Sequence, residues 1–260
     1  MKKWYKCLAA VLSASMLFAA GGTAAKAASP SVTVAPVSAE ELLQQVNLHS
    51  AMLGSARKTM TETIRMTDSR SGKTVSTDLI IDTTASRYAN HTVTSMNMTS
   101  STGVNRTSAD ESWTWVENGV RSTYNKSGGK WKVSYEQLSE TQLAQHAYQF
   151  APAGVDASGA SVIVEGNTYK INGVVNSVNM QGFLEVLNEV GITTSSAAFP
   201  VTIVVDVATL LPLSMTVEMT GLSVSGLSSV TATATAVTTY SEYGQYDTLM
   251  VPAEVTANAA

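Results

Sequence analysis

The stretch from Val201 to Thr220, VTIVVDVATLLPLSMTVEMT, decides the fold. Val201, Ile203, Val205 and Val207 recur at every second position. A strand has period two, so these four apolar side chains share one face. Leu211-Pro212-Leu213 breaks the alternation and reads as a turn. Met215, Val217 and Met219 then alternate with Thr216, Glu218 and Thr220. Two such runs joined by a turn make an antiparallel pair with one apolar and one polar face.

The same grammar runs outward in both directions. Val230 to Tyr240 sets Ala232, Ala234 and Ala236 against Thr231, Thr233 and Thr235. A row of alanines on one face lets something approach the sheet closely, or leaves a space. Tyr243-Gly244-Gln245 turns toward a last short strand expected near Met250. On the N-terminal side, Thr59 to Asp68 alternates around Met60, Glu62, Ile64 and Met66, and Val75, Thr77, Leu79 and Ile81 share a face. Tyr88 to Ser100 carries Met96 and Met98, and Ser112 to Val116 carries Trp113 and Trp115. Asn118-Gly119 is a strong hairpin turn. Arg121 to Tyr124 returns, Ser127-Gly128-Gly129 turns again, and Lys130 to Val133 carries Trp131. Residues 59–133 therefore read as a meander. Gly154 to Gly159 reads as a loop, and Val162 to Ile171 as two short strands around Gly166-Asn167. No tandem repeat of fixed period is present. Met96-Asn97-Met98 and Met215 to Met219 echo each other as two strands facing one interior.

Three segments carry helical signals instead. Ser38-Ala39-Glu40-Glu41 is a capping box, followed by Leu42, Leu43, Val46, Met52 and Leu53, which predicts a helix over 39–56. Ser139-Glu140-Thr141-Gln142 repeats the capping pattern ahead of Leu143, Ala144, Ala147 and Tyr148. Asn179 is placed to cap a helix over 180–190, with Val178 and Phe183 as a hydrophobic staple. Leu184, Leu187 and Val190 form its buried stripe, and Gly191 ends it.

Residues 1–27 have the three parts of a secretory signal peptide. Lys2, Lys3 and Lys6 give a positive start, Leu8 to Ala20 an apolar run, and Ala25-Lys26-Ala27 a small-residue cleavage site. Cleavage is expected after Ala27, with Ala28 as the near alternative. The apolar run falls short of the roughly 20 residues of a spanning helix. Residues 28–37, with their Ser-Pro and Ala-Pro steps, read as a linker, and 38–260 as a single β-rich domain. Cys7 precedes the apolar run, so it is not placed to be lipidated, and no stable membrane anchor is expected after cleavage. The remaining chain has no cysteine and must be held by its core alone. The expected location is extracytoplasmic: secreted, periplasmic or in the cell-wall space.

Beyond residue 27 the chain has 12 basic and 20 acidic residues, a net charge of −8. That balance argues against nucleic acid as a partner. His49, His91 and His146 lie far apart, with no spacing that suggests a metal site. There is no nucleophile elbow, phosphate loop or dinucleotide fingerprint. Gly221-Leu222-Ser223-Val224-Ser225-Gly226 approaches an elbow but has the wrong spacing. Asp110 and Glu111 are adjacent acids expected at a turn. No catalytic residue, metal or cofactor is therefore assigned. A hydrolase would require a polar cluster in a cleft, such as a histidine beside a carboxylate.

The distinctive residue is methionine, which adapts to irregular apolar shapes. Nine of the 11 lie beyond residue 27. Met96, Met98, Met215, Val217 and Met219, joined by Trp113, Trp115, Tyr124, Phe183 and Leu187, are the candidate lining of an apolar cavity between sheet and helices. The competing interpretation is an ordinary core filled with methionine.

The order of these features resembles a known family. A secreted chain opens with a capped helix, and a long meander follows with its Asn118-Gly119 hairpin and Gly129-Lys130-Trp131-Lys132 return. Then come Asp206-Val207-Ala208-Thr209-Leu210-Leu211-Pro212 and Tyr240-Ser241-Glu242-Tyr243-Gly244, with Val251-Pro252 near the end. Over about 38–256 the chain is similar to the LolA/LppX-like superfamily of bacterial envelope proteins, nearest to its uncharacterised secreted members. The resemblance implies an α+β fold, a strongly curved antiparallel sheet or half-barrel wrapped over a few helices. In that family the Asp-x-x-Thr-x-Leu-Pro step turns between two late strands. It also implies lipoprotein carriage, lipid binding or envelope sensing, with no catalytic residue to transfer. The function expected is a non-enzymatic envelope protein binding an apolar small molecule or lipid. The alternative is a protein-interaction or sensor module with a filled core, its partner another envelope protein.

Overall fold

The computed structural model describes residues 38–100, 106–147, 150–152, 154–180, 184, 187–188 and 191–259. The segments expected to be the signal peptide, with Ala25 and Ala27, and the linker, together with Phe183, Tyr148 and Val190, lie outside the described residues.

Strands account for most of what is described. They are β1 (Ser55–Asp68), β2 (Thr74–Ser86), β3 (Ala89–Ser100), β4 (Arg106–Glu117), β5 (Val120–Ser127) and β6 (Lys130–Gln137) in the first half. The second half holds β7 (Val155–Glu165), β8 (Thr168–Asn176), β9 (Ile192–Thr193), β10 (Ala198–Asp206), β11 (Pro212–Val224) and β12 (Val230–Ser241). The helices are α1 (Ala39–Ala51), α2 (Glu140–Ala147) and the short α3 (Ala253–Ala257), with a 3-10 turn at Ser177–Met180. Leu184, Leu187 and Asn188 are also helical.

All twelve strands join one open antiparallel sheet, in the order β6-β5-β4-β3-β2-β1-β12-β11-β10-β8-β7, with β9 pairing β11. The first six strands form the expected meander. The last strand returns to the middle and pairs β1 along its length, from Arg57 opposite Ser241 to Asp68 opposite Val230. The chain thus closes its two halves through a central long-range pair, while β6 and β7 remain as edges. Ala259 bridges to Trp131 on the β6 edge.

The turns follow their residues. Asn118 (φ 52°) and Gly119 (φ 78°) both take positive φ, as a two-residue hairpin twisted like its strands requires. Asp206 builds the β10–β11 turn: its carboxylate accepts from the Ala208 and Thr209 N–H groups and from the Thr209 hydroxyl. These bonds hold its pKa below the usual value. Pro212 then starts β11, and the Tyr243 hydroxyl donates to the Pro212 carbonyl. The two late sequence steps, far apart in the chain, therefore meet. Gly244 N–H donates to Ser55 O, and Ser55 Oγ donates to Asp247 at 2.6 Å. A Cβ on Gly54 would lie 2.5 Å from that carboxylate, so a larger residue here would push Asp247 off Ser55.

α1 begins at the capping box: Glu41 N–H donates to Ser38 Oγ, and Ser38 N–H donates to Glu41 Oε2. Ala39, Leu42, Leu43, Val46 and Ser50 are its buried stripe. Ser38→Ala is expected to cost about 1 kcal/mol in chemical denaturation. The Ser139 and Gln142 pair makes the same reciprocal bonds ahead of α2.

Several expectations are corrected. α1 ends at Ala51, not near 56, because Ser55 is already needed for pairing with Ser86. Gly154 to Gly159 is not a free loop. From Val155 it belongs to β7, which absorbs its irregularity as a bulge between Asp156 and Ser161. Asp110 and Glu111 are not at a turn but inside β4 on opposite faces, paired with Thr94 and Val93. No strand forms near Met250; Pro252 instead leads into α3.

Candidate functional site

The register sorts every strand residue onto one of two faces. One row crosses seven strands as Met96, Leu79, Glu62, Ala236, Val217, Val201 and Gly173. The next row is Met98, Thr77, Ile64, Ala234 and Met219. Met215 stands on the same face opposite Thr238 and Ile203. Met96, Met98, Met215, Val217 and Met219 therefore share one surface, the core face. Met215, Val217 and Met219 belong to one packed cluster with Leu42, Leu43 and Val46 of α1 and with Leu187, Met96 packs against it, and Met98 is buried on the same face.

Trp113, Trp115 and Tyr124 are not on that surface. Met96 pairs with Ser108, so alternation along β4 sends Trp113 and Trp115 to the opposite face. There Trp113 is flanked by His91 and Tyr124, and Tyr124 by Val133. The sequence shows which residues alternate within a strand but not which face of one strand joins which face of the next. That follows from pairing register, where a one-residue shift exchanges the faces.

The opposite face carries its own polar cluster. The His91 ring stacks on Trp113 with centroids 4.3 Å apart, and His91 Nε2 lies 3.1 Å from Glu111 Oε1. Lys126 Nζ donates to Glu111 Oε2 at 2.8 Å and sits 5.3 Å from the Trp131 ring centre. Lys126, then His91, hold the Glu111 carboxyl below its usual value. A histidine does stand beside a carboxylate, the pairing that a hydrolase would require. Both carboxylate oxygens are engaged and the group stays ionised, so its chemistry here is that of an ion pair rather than of a proton shuttle. His49 Nδ1 meets Thr209 O, and His146 Nε2 meets Arg87 O. Among the described residues no group of three His, Cys, Asp or Glu is placed to hold a metal. Nor is any helix among them long and apolar enough to cross a membrane.

The core face holds what sequence reasoning missed. Glu62 is 1% exposed and Thr77 is 2% exposed. Glu62 Oε1 and Thr77 Oγ1 have no hydrogen-bond partner among the described residues. Asn47 Oδ1 and Ser50 Oγ of α1 share that condition, as does Asn90 Oδ1 of β3. Burial pushes the Glu62 carboxyl up to about 8, because the charged form loses its water without gaining a partner. The available signal was a single acid in the apolar series Met60, Glu62, Ile64 and Met66.

A cleft of about 690 Å³ opens at the end of the sheet where β4 finishes, beneath α2. Trp115, Val116, Tyr88, Leu53, Leu143 and Phe150 line it, with His146 and Arg87 at its polar side. Trp115 thus does border a cleft, but one at the sheet's end and not the methionine surface. Phe150 packs there on Ala56 and Ala85.

No protein-family model matches the chain. No curated protein sequence matches it either. Among solved structures, that of a DUF1329 family protein from Desulfovibrio piger is similar at 9% sequence identity, covering 85% of this chain and 97% of that one with a TM-score of 0.29.

Proposed function

We propose that this is an exported, non-enzymatic binding protein for an apolar ligand, a lipid or acyl chain, acting in the bacterial cell envelope. The observation that carries the reading is the predominantly apolar face that spans seven strands, from Met96 on β3 to Ile171 on β8, interrupted at its centre by Glu62 and Thr77. Its methionines and alanines suit a variable apolar guest better than a uniquely interlocked core. A sheet of this many strands curls under its own accumulated twist. In this reading it forms a LolA-like half-barrel over its helices, with the guest between them. At roughly 25 cal/mol per Å² of buried apolar surface, an acyl chain supplies useful affinity without polar readout. In this reading an N-terminal signal peptide delivers the protein to that compartment.

Native mass spectrometry after gentle extraction is expected to show adducts of lipid mass, and a fluorescent fatty-acid probe to bind and be displaced by them. A ligand-free mass together with indifference to the probe overturns the reading.

The open β7 edge favours a second reading, an interaction or sensor module. Ile163 and Val164 on that strand are 46% and 64% exposed beside unpaired backbone groups. An extended partner segment can add to such an edge. Pull-down from envelope extract would then recover a defined partner, lost on Val164→Pro.

A further inference from the structure

The alanine stripe of β12 and the unpartnered acid of β1 are neighbours. Glu62 stands directly opposite Ala236, and its diagonal neighbour on the same face is Ala234. On the other side Glu62 stands opposite Leu79, with Thr77 diagonal to it. Alanine is the smallest apolar side chain on this face, and beside Ala234 and Ala236 a buried carboxyl oxygen and a buried hydroxyl have no partner among the described residues. A buried polar atom without a partner forgoes a hydrogen bond, and a guest that supplies one gains about tenfold in affinity. The site is therefore built for a polar group that arrives with an apolar body.

We infer that Glu62 and Thr77, beside Ala234 and Ala236, form a subsite for the ester or hydroxyl group of a neutral acyl lipid. This rests on the apolar-ligand function proposed above and specifies its chemistry. The surroundings choose a neutral guest. The side chains facing Glu62 from β2 are Thr77, Leu79 and Ile81, and those from β12 are Ala234, Ala236 and Thr238. Leu42, Leu43 and Val46 of α1 belong to the same packed cluster as this face. None is charged. The nearest charge on its own strand face is Lys58, four residues and roughly 13 Å away. In that setting the carboxyl keeps its proton near neutral pH, so it offers one O–H donor and one carbonyl acceptor. An ester carbonyl takes the donor, a glycerol hydroxyl uses the acceptor, and Thr77 serves either.

The test uses the purified full chain and displacement of N-phenyl-1-naphthylamine by monoolein, 1-octadecene and oleylamine. The wild type is expected to bind monoolein more tightly than octadecene, and to lose that preference above about pH 8 as Glu62 ionises. Glu62→Leu is expected to weaken monoolein about tenfold and leave octadecene unchanged. Thr77→Val is expected to act in the same direction. Glu62→Gln keeps a donor and an acceptor, so it should hold monoolein within about threefold and remove the pH dependence. Circular dichroism checks that each variant folds. If monoolein and octadecene respond equally to Glu62→Leu, the subsite is wrong while the apolar-ligand function stands. If oleylamine binds best and gains affinity above pH 8, the guest is cationic and the neutral-lipid assignment fails. If no probe displaces the dye from the wild type, the apolar-ligand function itself fails.

Discussion

Glu62→Gln is expected to stabilise the protein by about 3 kcal/mol at pH 7, and to flatten its stability between pH 5 and pH 8. The carboxyl titrates near its ordinary value of 4.5 when unfolded and at about 8 when folded. Below pH 4.5 it is neutral in both states and costs nothing. Between the two values the unfolded chain releases the proton and the folded chain does not, so stability falls as pH rises. At roughly 1.36 kcal/mol per unit, the cost reaches about 3 kcal/mol at pH 7 and about 5 kcal/mol once both states are ionised. Gln has no such titration.

Other groups act in other windows. The hydrogen-bonded Asp206 and the ion-paired Glu111 have depressed values, so their contributions are lost only as the solution turns acidic. Half-buried Lys58 is held below its usual value by desolvation and raises stability toward the alkaline end. Urea unfolding of both proteins at pH 5, 7 and 8.5 checks the expectation. Parallel profiles for wild type and Glu62→Gln would show that Glu62 does not sit neutral in the core.

Phe199→Ala is expected to cost about 3–5 kcal/mol, the usual loss for emptying a well-packed aromatic site. Phe199 heads the fully buried side chains by volume, at 1% exposure. It lies on the core face of β10 opposite Val175 of β8. That strand pair has little freedom to collapse onto a void. Two pairs along, Gly173 faces Val201, and a Cβ on Gly173 would lie 3.3 Å from both Ala160 Cβ and Asp156 O. The β7 bulge already fills the space there. Val164→Ala, on the exposed edge, should change stability by less than about 0.5 kcal/mol. Equal effects for the two variants in thermal or urea unfolding would mean that the core does not run through β10.

Much of the fold was legible because strand structure writes its period into local sequence. The turns at Asn118-Gly119 and Gly128-Gly129, the capping box at Ser38, and the Ala232, Ala234 and Ala236 row all form as their residues require. The failures share a cause. Gly154 to Gly159 has loop composition, yet most of it is held in β7 by pairing with β8. The region near Met250 lacks a partner strand and so forms none. In each case a distant segment overrode or withheld what local composition suggested.

The site divides along the same line. Alternation alone determined that Met96 and Met98 share a face, as do Met215, Val217 and Met219, because neighbours two apart in a strand point the same way. It also exposed Glu62 as an acid within an apolar series. Only the tertiary structure decided that the two methionine groups face one interior across β2, β1 and β12, and that Trp113, Trp115 and Tyr124 do not. It alone set His91 beside Glu111 and Glu62 beside the alanine stripe. Those placements depend on strand order and register, which are fixed by hydrogen bonds and burial between segments up to 184 residues apart.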